Sequence, residues 1–200
     1  MRTLAIGDIH GCRAALVALM KAVKPTGDDR LVFIGDYVDR GPDSRGVIDW
    51  IIANDLGCEI VALRGNHESM MLQAPSEEWL FFNWRSCGGD ATLISYEIDD
   101  DAGWNERIPD AHWEFLSRTR PFFETKTHVF VHASVDPDLP MEQQDEHRLL
   151  WTPCVGMAPH CSGRTVVCGH TAQTSGQILD CGHYVCIDTA AYGGQWLSCL

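Results

Sequence analysis

In the first third of the chain, three short apolar runs each give way to a glycine-containing polar cluster. The runs are Thr3-Leu4-Ala5-Ile6, Leu31-Val32-Phe33-Ile34 and Cys58 to Leu63. Each is short, apolar on both faces and bounded by turn residues, the pattern of a buried strand. The segments between them change period. Arg13 to Val23 places Leu16, Leu19, Met20 and Val23 at helical spacing, and Ser44 to Ala53 does the same with Val47, Ile48, Ile51 and Ile52. Pro25 to Asp29 reads as a turn. This β-α-β-α-β order predicts parallel strands joined by right-handed crossovers, with helices on the faces.

The middle of the chain, Glu77 to Arg120, reads as mainly helical, with Trp79, Phe81, Phe82 and Trp84 as packing residues of a helical layer. Strand patterns return at Thr127 to His132, Arg164 to Cys168, Gln177 to Leu179, Tyr184 to Ile187 and Trp196 to the end. Their spacing suits hairpins. The expected architecture is α/β: one domain over residues 1–200, in which a second sheet packs on the first and helices cover the outside.

The polar clusters carry the chemistry. Gly7-Asp8-Ile9-His10-Gly11 follows the first strand, Gly35-Asp36-Tyr37-Val38-Asp39-Arg40-Gly41 the second, and Arg64-Gly65-Asn66-His67-Glu68 the third. His132 and His170 follow two later apolar runs, Val129-Phe130-Val131 and Val166-Val167-Cys168-Gly169. Ligands of open α/β sheets bind at the carboxyl ends of strands, so these five strand ends are expected to meet. Asp and His without thiolate form a mixed oxygen and nitrogen ligand set, suited to manganese, iron, zinc or cobalt and not to calcium. Asp8 and His10 are two residues apart in an extended stretch, so both side chains can face one ion. Arg40 and Arg64 lie beside these residues, and guanidinium is the side chain suited to phosphate oxygens.

Other features exclude function classes. Fifteen Lys and Arg against 28 Asp and Glu give a net charge of -13, which repels nucleic-acid backbones and anionic membranes. No run of apolar residues is long enough to span a bilayer. Met1 to Asp8 has no leader-peptide pattern, so the expected location is cytoplasmic. The nine cysteines are odd in number, contain no CxxC pair and sit partly inside apolar runs, so they are expected to be reduced, buried thiols. There is no GxxxxGK[ST] loop for nucleotide phosphates and no GxSxG elbow for a serine nucleophile.

Taken in order, GDIHG, GDYVDRG, RGNHE, VHA and CGHT resemble the PPP-type metallophosphoesterases, from Thr3 to about Gln195. That group includes serine/threonine protein phosphatases and symmetrical dinucleoside tetraphosphate hydrolases. Smaller echoes of its bacterial and phage branch are Cys87-Gly88-Gly89-Asp90-Ala91-Thr92, Leu149-Leu150-Trp151 and Cys186-Ile187-Asp188-Thr189. The resemblance implies a β-sandwich flanked by helices and two divalent ions, manganese foremost. It implies Asp8, His10 and Asp36 as ligands of one ion, with Asp36 bridging to a second held by Asn66, His132 and His170. It further implies His67 as the acid that protonates the leaving oxygen, Asp39 as its orienting partner, and Arg40 and Arg64 as phosphate ligands. In two places the chain departs from that pattern. Pro153 stands where an arginine usually follows Leu-Leu-Trp, which leaves Arg148 or Arg164 to fill that role, and Ala190 stands where glycine is usual.

The expected activity is hydrolysis of phosphate monoesters by a hydroxide shared between two ions about 3.5–4 Å apart. A protein serine/threonine phosphatase with an open site is the first reading, so the partner is a phosphoprotein or a small phosphomonoester. A dinucleoside-polyphosphate hydrolase would use the same centre with a different leaving-group pocket. A silent metal-binding module would be expected to lose the acid or the ligands, yet His67, Asp39 and both arginines are present.

Overall fold

A computed structural model describes residues 2–53 and 55–200. The first three strands form where the apolar runs lie: β1 (Thr3–Ile6), β2 (Arg30–Phe33) and β3 (Glu59–Ala62). They pair in parallel in the order β1-β2-β3, with Ile6 opposite Phe33 and Phe33 opposite Ala62. The crossovers are α1 (Arg13–Val23) and α2 (Ser44–Ala53), which bury Leu16 and Met20, and Val47, Ile48 and Ile51. α1 ends at Lys24, whose left-handed backbone (φ 51°) sends its N–H back to the Met20 carbonyl.

After β3 come α3 (Asn66–Gln73), α4 (Glu78–Trp84), α5 (Asp90–Ser95) and α6 (Asp110–Ser117), the expected helical layer. The second sheet contains β4 (Phe122–Glu124), β5 (His128–Val131), β6 (Thr165–Cys168), β7 (Leu179–Asp180) and β8 (Tyr184–Cys186), in the order β4-β5-β6-β8-β7. Here the structure corrects the hairpin expectation. β5, β6 and β8 are mutually parallel, because α7 (Glu146–Trp151) returns the chain between β5 and β6; β7–β8 and β4–β5 are antiparallel. β4 was not among the expected strands; three residues are too few to show a period. The expected strand from Trp196 reduces to a single bridge, Ile6 to Cys199. It covers the free edge of β1 together with paired backbone bonds between Ala5 and Leu200.

Three apolar clusters define the layers. Ala5, Val32, Ile34, Val61 and Leu63 face Phe130, Val167, Val185 and Ile187 between the sheets. One outer cluster packs α1 and α2 with the middle helices, and the other packs Leu149 of α7 against β5, β6 and β8. The result is an α/β/β/α sandwich. Parallel pairing within each sheet brings the carboxyl ends of β1, β2, β3, β5 and β6 to one rim, and the polar clusters of the sequence follow those ends.

Candidate active site

The rim is held in strained backbone. Among the described residues eight non-glycine positions have positive φ, and five of them are His10, Asp36, Asp39, Arg40 and His170. Such conformations cost free energy and persist where surrounding contacts enforce them. Glu68 enforces the Asp36 turn. Its fully buried carboxylate accepts the N–H groups of Asp36 (2.8 Å), Tyr37 (2.8 Å), Val38 (3.3 Å) and Gly65 (2.9 Å). Burial and the neighbouring Asp36 push the Glu68 carboxyl up to about 8, against the N–H donors that favour its charge. Glycine is required at two close approaches: a Cβ on Gly65 would overlap the Asp36 carboxylate, and one on Gly169 would overlap that of Asp8.

The expected ligands converge. Nitrogen and oxygen atoms of Asp36, His132 and His170 lie within 4.8 Å of one another, as do those of His10, Asp36 and His67. Asp36 divides its carboxylate, with Oδ2 3.2 Å from His10 Nε2 and Oδ1 3.5 Å from His132 Nε2. Asn66 Oδ1 lies 3.0 Å from His132 Nε2 and 3.0 Å from His170 Nδ1. Asp8 Oδ2 accepts the His170 N–H at 2.9 Å, while its buried Oδ1 has no hydrogen-bond partner among the described residues.

The ring partners fix the tautomers, and the tautomers fit a metal. His10 donates Nδ1–H to the Val38 carbonyl (2.9 Å), His132 donates Nδ1–H to that of Ile34 (3.1 Å), and His170 donates Nε2–H to that of Trp151 (3.2 Å). Each then presents its other nitrogen as a lone pair toward the carboxylate and amide oxygens, that of His10 also accepting from Arg40 Nη1. Acceptors facing acceptors are repulsive, and a cation between them removes the conflict. Protonation agrees. Burial lowers His132 to about 4 and lowers His170, keeping both neutral. Burial alone would raise Asp36, but the imidazoles of His132, His67 and His10 outweigh it and hold that carboxyl well below the usual range. Asp8 is driven the other way, well upward, by burial and by the nearby charges of Asp188 and Asp36, a conflict that a cation relieves. Neutral imidazoles and an ionised Asp36 carboxylate are the states a divalent ion requires.

His67 differs from the other three imidazoles. Its Nδ1 bonds to a carboxylate, Asp39 Oδ2, at 2.7 Å, and both side chains are buried. Asp39 also accepts Trp84 Nε1–H (3.0 Å) and Thr92 Oγ1–H (2.7 Å). Besides Glu68, four groups important to this site had no role assigned from sequence. Trp84 looked like a packing residue, Thr92 and Asp188 lay in motif echoes, and Tyr192 carried no signal at all. The Tyr192 ring stacks under the Arg40 guanidinium (4.7 Å) and edge-on to His10 (4.9 Å).

The arginines are placed unequally. Arg40 Nη1 donates to His10 Nε2 at 2.9 Å, beside the cluster. The Arg64 guanidinium bonds instead to Thr119 Oγ1 (3.0 Å) and the carbonyls of Ser117 (2.9 Å) and Thr119 (3.3 Å). Arg164 precedes β6, at the opposite end of that strand from His170, where it pairs with Glu124 and the Thr125 carbonyl. It cannot serve in place of Pro153. Arg148, on α7, makes no side-chain hydrogen bond or ion pair among the described residues.

A family model for the calcineurin-like phosphoesterases matches residues 1–174. The chain belongs to that family. It is 32% identical over 155 residues to serine/threonine-protein phosphatase 1 of Salmonella typhimurium, covering 74% of this chain and 66% of that one. It is 31% identical over 147 residues to the symmetrical bis(5'-nucleosyl)-tetraphosphatase of Paraburkholderia phymatum, covering 72% and 47%. The chain thus spans about two thirds of the length of the first relative and about half of the second. Among solved structures, one assigned provisionally as a diadenosine tetraphosphatase superposes with a TM-score of 0.71 at 24% identity, covering 98% of this chain and 87% of that one. A serine/threonine phosphatase of Saccharomyces cerevisiae gives 0.65 at 19% identity, covering 96% and 69%. Both establish the metallophosphoesterase fold. Among the described residues no helix is long and apolar enough to cross a membrane.

Proposed function

We propose that this phosphoesterase is a hydrolase of phosphate monoesters that depends on two divalent ions, with phosphorylated serine or threonine of proteins as its substrate class. The observation that carries the reading is the buried Asp39–His67 pair set against the Asp/His cluster, with His10 and His67 ring centroids 4.7 Å apart. Asp8, His10 and Asp36 would hold one ion, and Asp36, Asn66, His132 and His170 the other. When bound, such ions polarise phosphoryl oxygens and acidify water to a nucleophile at neutral pH; manganese is the preferred ion in this reading.

The protein's own residues do the rest. Asp39, fixed by Trp84 and Thr92, holds His67 by Nδ1–H. The other ring nitrogen of His67 then carries the proton that passes to the leaving oxygen. Arg40, supported on the Tyr192 ring, binds phosphoryl oxygens in the ground state and as charge develops. Arg64 joins it only by exchanging its bonds to Ser117 and Thr119 for bonds to phosphate. The second reading is hydrolysis of dinucleoside polyphosphates, favoured by the similarity to the Paraburkholderia phymatum protein.

Turnover of a phosphoserine peptide, an aryl phosphate and a dinucleoside tetraphosphate, each with manganese, zinc, iron and cobalt, tests both. The phosphatase reading expects the peptide to be hydrolysed with the highest kcat/KM relative to its uncatalysed rate. Preference for the tetraphosphate would favour the second reading, and no turnover of any substrate with any metal would overturn both.

A further inference from the structure

Three of the nine cysteines come together away from the Asp/His rim. Cys154 follows α7, Cys168 ends β6 and Cys186 ends β8, and their sulfurs lie within 4.8 Å of one another. All three side chains are fully buried. Cys168 and Cys186 are direct cross-strand partners, so their side chains leave the same face of the sheet. Cys154 reaches that face from a separate segment, fastened there by its N–H on Thr171 Oγ1 at 3.1 Å. Val129, Val131, Met141, Leu149 and Val166 pack around the trio, and the Cys186 thiol donates to the carbonyls of Gly169 and Thr171, each at 3.4 Å.

We infer that Cys154, Cys168 and Cys186 form a second, thiolate-only metal site for a soft d10 cation, zinc(II) or copper(I). Ions of this kind take sulfur at about 2.3 Å, which seats three sulfurs roughly 3.8–4.0 Å apart, inside the 4.8 Å that bounds their separations here. The donor set contains no oxygen or nitrogen, so it selects for softness where the Asp/His rim selects for harder ions. Gln173 Nε2 points an N–H at Cys186 Sγ (3.8 Å), the kind of outer contact that steadies a thiolate ligand. Binding displaces three thiol protons to solvent and leaves an ion tying three segments of chain together.

The position gives the site a use. Cys168 lies two residues before His170 and Cys186 two before Asp188, so an ion would clamp the two strand ends that carry these rim residues. Through Cys154 it would also pin the segment that follows Trp151, whose carbonyl orients the His170 ring. The site is a staple beneath the rim.

The test is titration of the reduced, metal-stripped protein with cadmium(II) as spectroscopic probe, then zinc(II), then copper(I) under a competing chelator. Each titration is run on native protein and after one unfolding and refolding cycle, since the thiols are buried. The expected result is a thiolate-to-metal charge-transfer band in the ultraviolet whose final amplitude corresponds to one thiolate-bound ion per chain, with a rise in thermal midpoint. Chelator competition assigns zinc or copper as the tighter ion. The combined substitution of Cys161, Cys181 and Cys199 by Ser should keep the band, and Cys154→Ser should lose it while retaining metal at the Asp/His rim. No thiolate band in the parent, native or refolded, would overturn the inference, as would a band that survives Cys154→Ser. A mass lowered by two hydrogens in the protein as purified, showing a disulfide within the trio, would overturn it as well.

Discussion

Asp39 Oδ2 accepts the Nδ1–H of His67 at 2.7 Å inside a site from which both side chains are closed to solvent. The other three rim imidazoles bond to backbone carbonyls. A carbonyl fixes a tautomer and leaves a neutral ring with a lone pair to offer. A carboxylate does that and also stabilises the protonated ring. That difference in second partner is what supports proposing His67 as the acid and the other three as ligands.

If His67 is the acid, its importance scales with how badly the leaving oxygen needs a proton. A nitrophenolate departs readily as an anion, and a serine alkoxide does not. His67→Asn should therefore lower kcat on phosphoserine peptides by about 10²–10⁴, and distinctly less on nitrophenyl phosphate. Asp39→Asn should show the same pattern more weakly, and both variants should keep their metals. Equal losses on the two substrates with full metal content would show that His67 organises the site without donating a proton.

Arg40 is exposed on one side and rests on Tyr192 on the other. Arg40→Ala should weaken inhibition by free phosphate as well as turnover, because a guanidinium contacts ground-state oxygens too. Tyr192→Ala should weaken phosphate binding by a smaller factor, since a cation–π contact at an exposed site contributes about 0.5–1 kcal/mol. Phosphate inhibition unchanged in Arg40→Ala would remove Arg40 from the clamp.

These two sites show what the sequence could and could not disclose. The strand ends were legible because each motif follows an apolar run that can only be a buried strand, and parallel pairing then determines where the motifs go. Arg40 and His67 could be placed that way. Trp84 could not, because an indole in an aromatic-rich helix looks the same whether its N–H is buried against Asp39 or left in water. Glu68 was visible within its motif, but four backbone donors converging on one carboxylate depend on a turn that no periodicity describes. The parallel course of β5, β6 and β8 was missed because short strands with turn residues between them suit hairpins equally well.

The ligand assignment makes a prediction that needs no turnover. His170 leaves the sheet at a position with φ 61°, its Nε2–H on the Trp151 carbonyl and its Nδ1 facing Asn66 Oδ1. His170→Ala should lose one of two manganese equivalents while keeping the parent's far-ultraviolet circular dichroism, because β6 remains packed between its neighbours. Chelation of the parent should abolish activity, and manganese should restore it. Two tightly held equivalents in His170→Ala would exclude His170 as a ligand.

Ala190 carries a cost that glycine would not. Its backbone is left-handed (φ 56°, ψ 47°), which for a residue with a Cβ is unfavourable by roughly 1–2 kcal/mol. Glycine removes that term but gives the unfolded chain about 0.4–1 kcal/mol of extra entropy. Ala190→Gly should accordingly raise stability by about 0.5 kcal/mol, seen as a higher urea midpoint with an unchanged m-value. A lower midpoint would mean that the buried Ala190 methyl contributes more by packing than its backbone strain costs.

Asp29 ties the start of β1 to the turn before β2. It accepts from Arg2 Nε (3.0 Å) and Nη2 (2.6 Å) and from the Thr26 N–H (2.9 Å). The Arg2 hydrogen bond, followed by that of Thr26, holds its carboxyl well below the usual carboxylate range. In the unfolded chain that carboxyl titrates near its ordinary value, about 3.9. Between the two values the unfolded state binds more protons, so stability rises with pH across that window. The contribution is complete above about pH 5 and is lost as pH falls toward the folded-state value. Asp29→Asn removes the charge and so should be less stable than the parent at pH 7. The difference should shrink as pH is lowered from about 4. Added salt should shrink it as well, because Arg2 is 56% exposed and the pair is screened. Urea midpoints of parent and variant between pH 7 and pH 3 measure this directly. A difference that stays constant across that range would show that Asp29 acts through hydrogen bonds an amide can keep, and not through its charge.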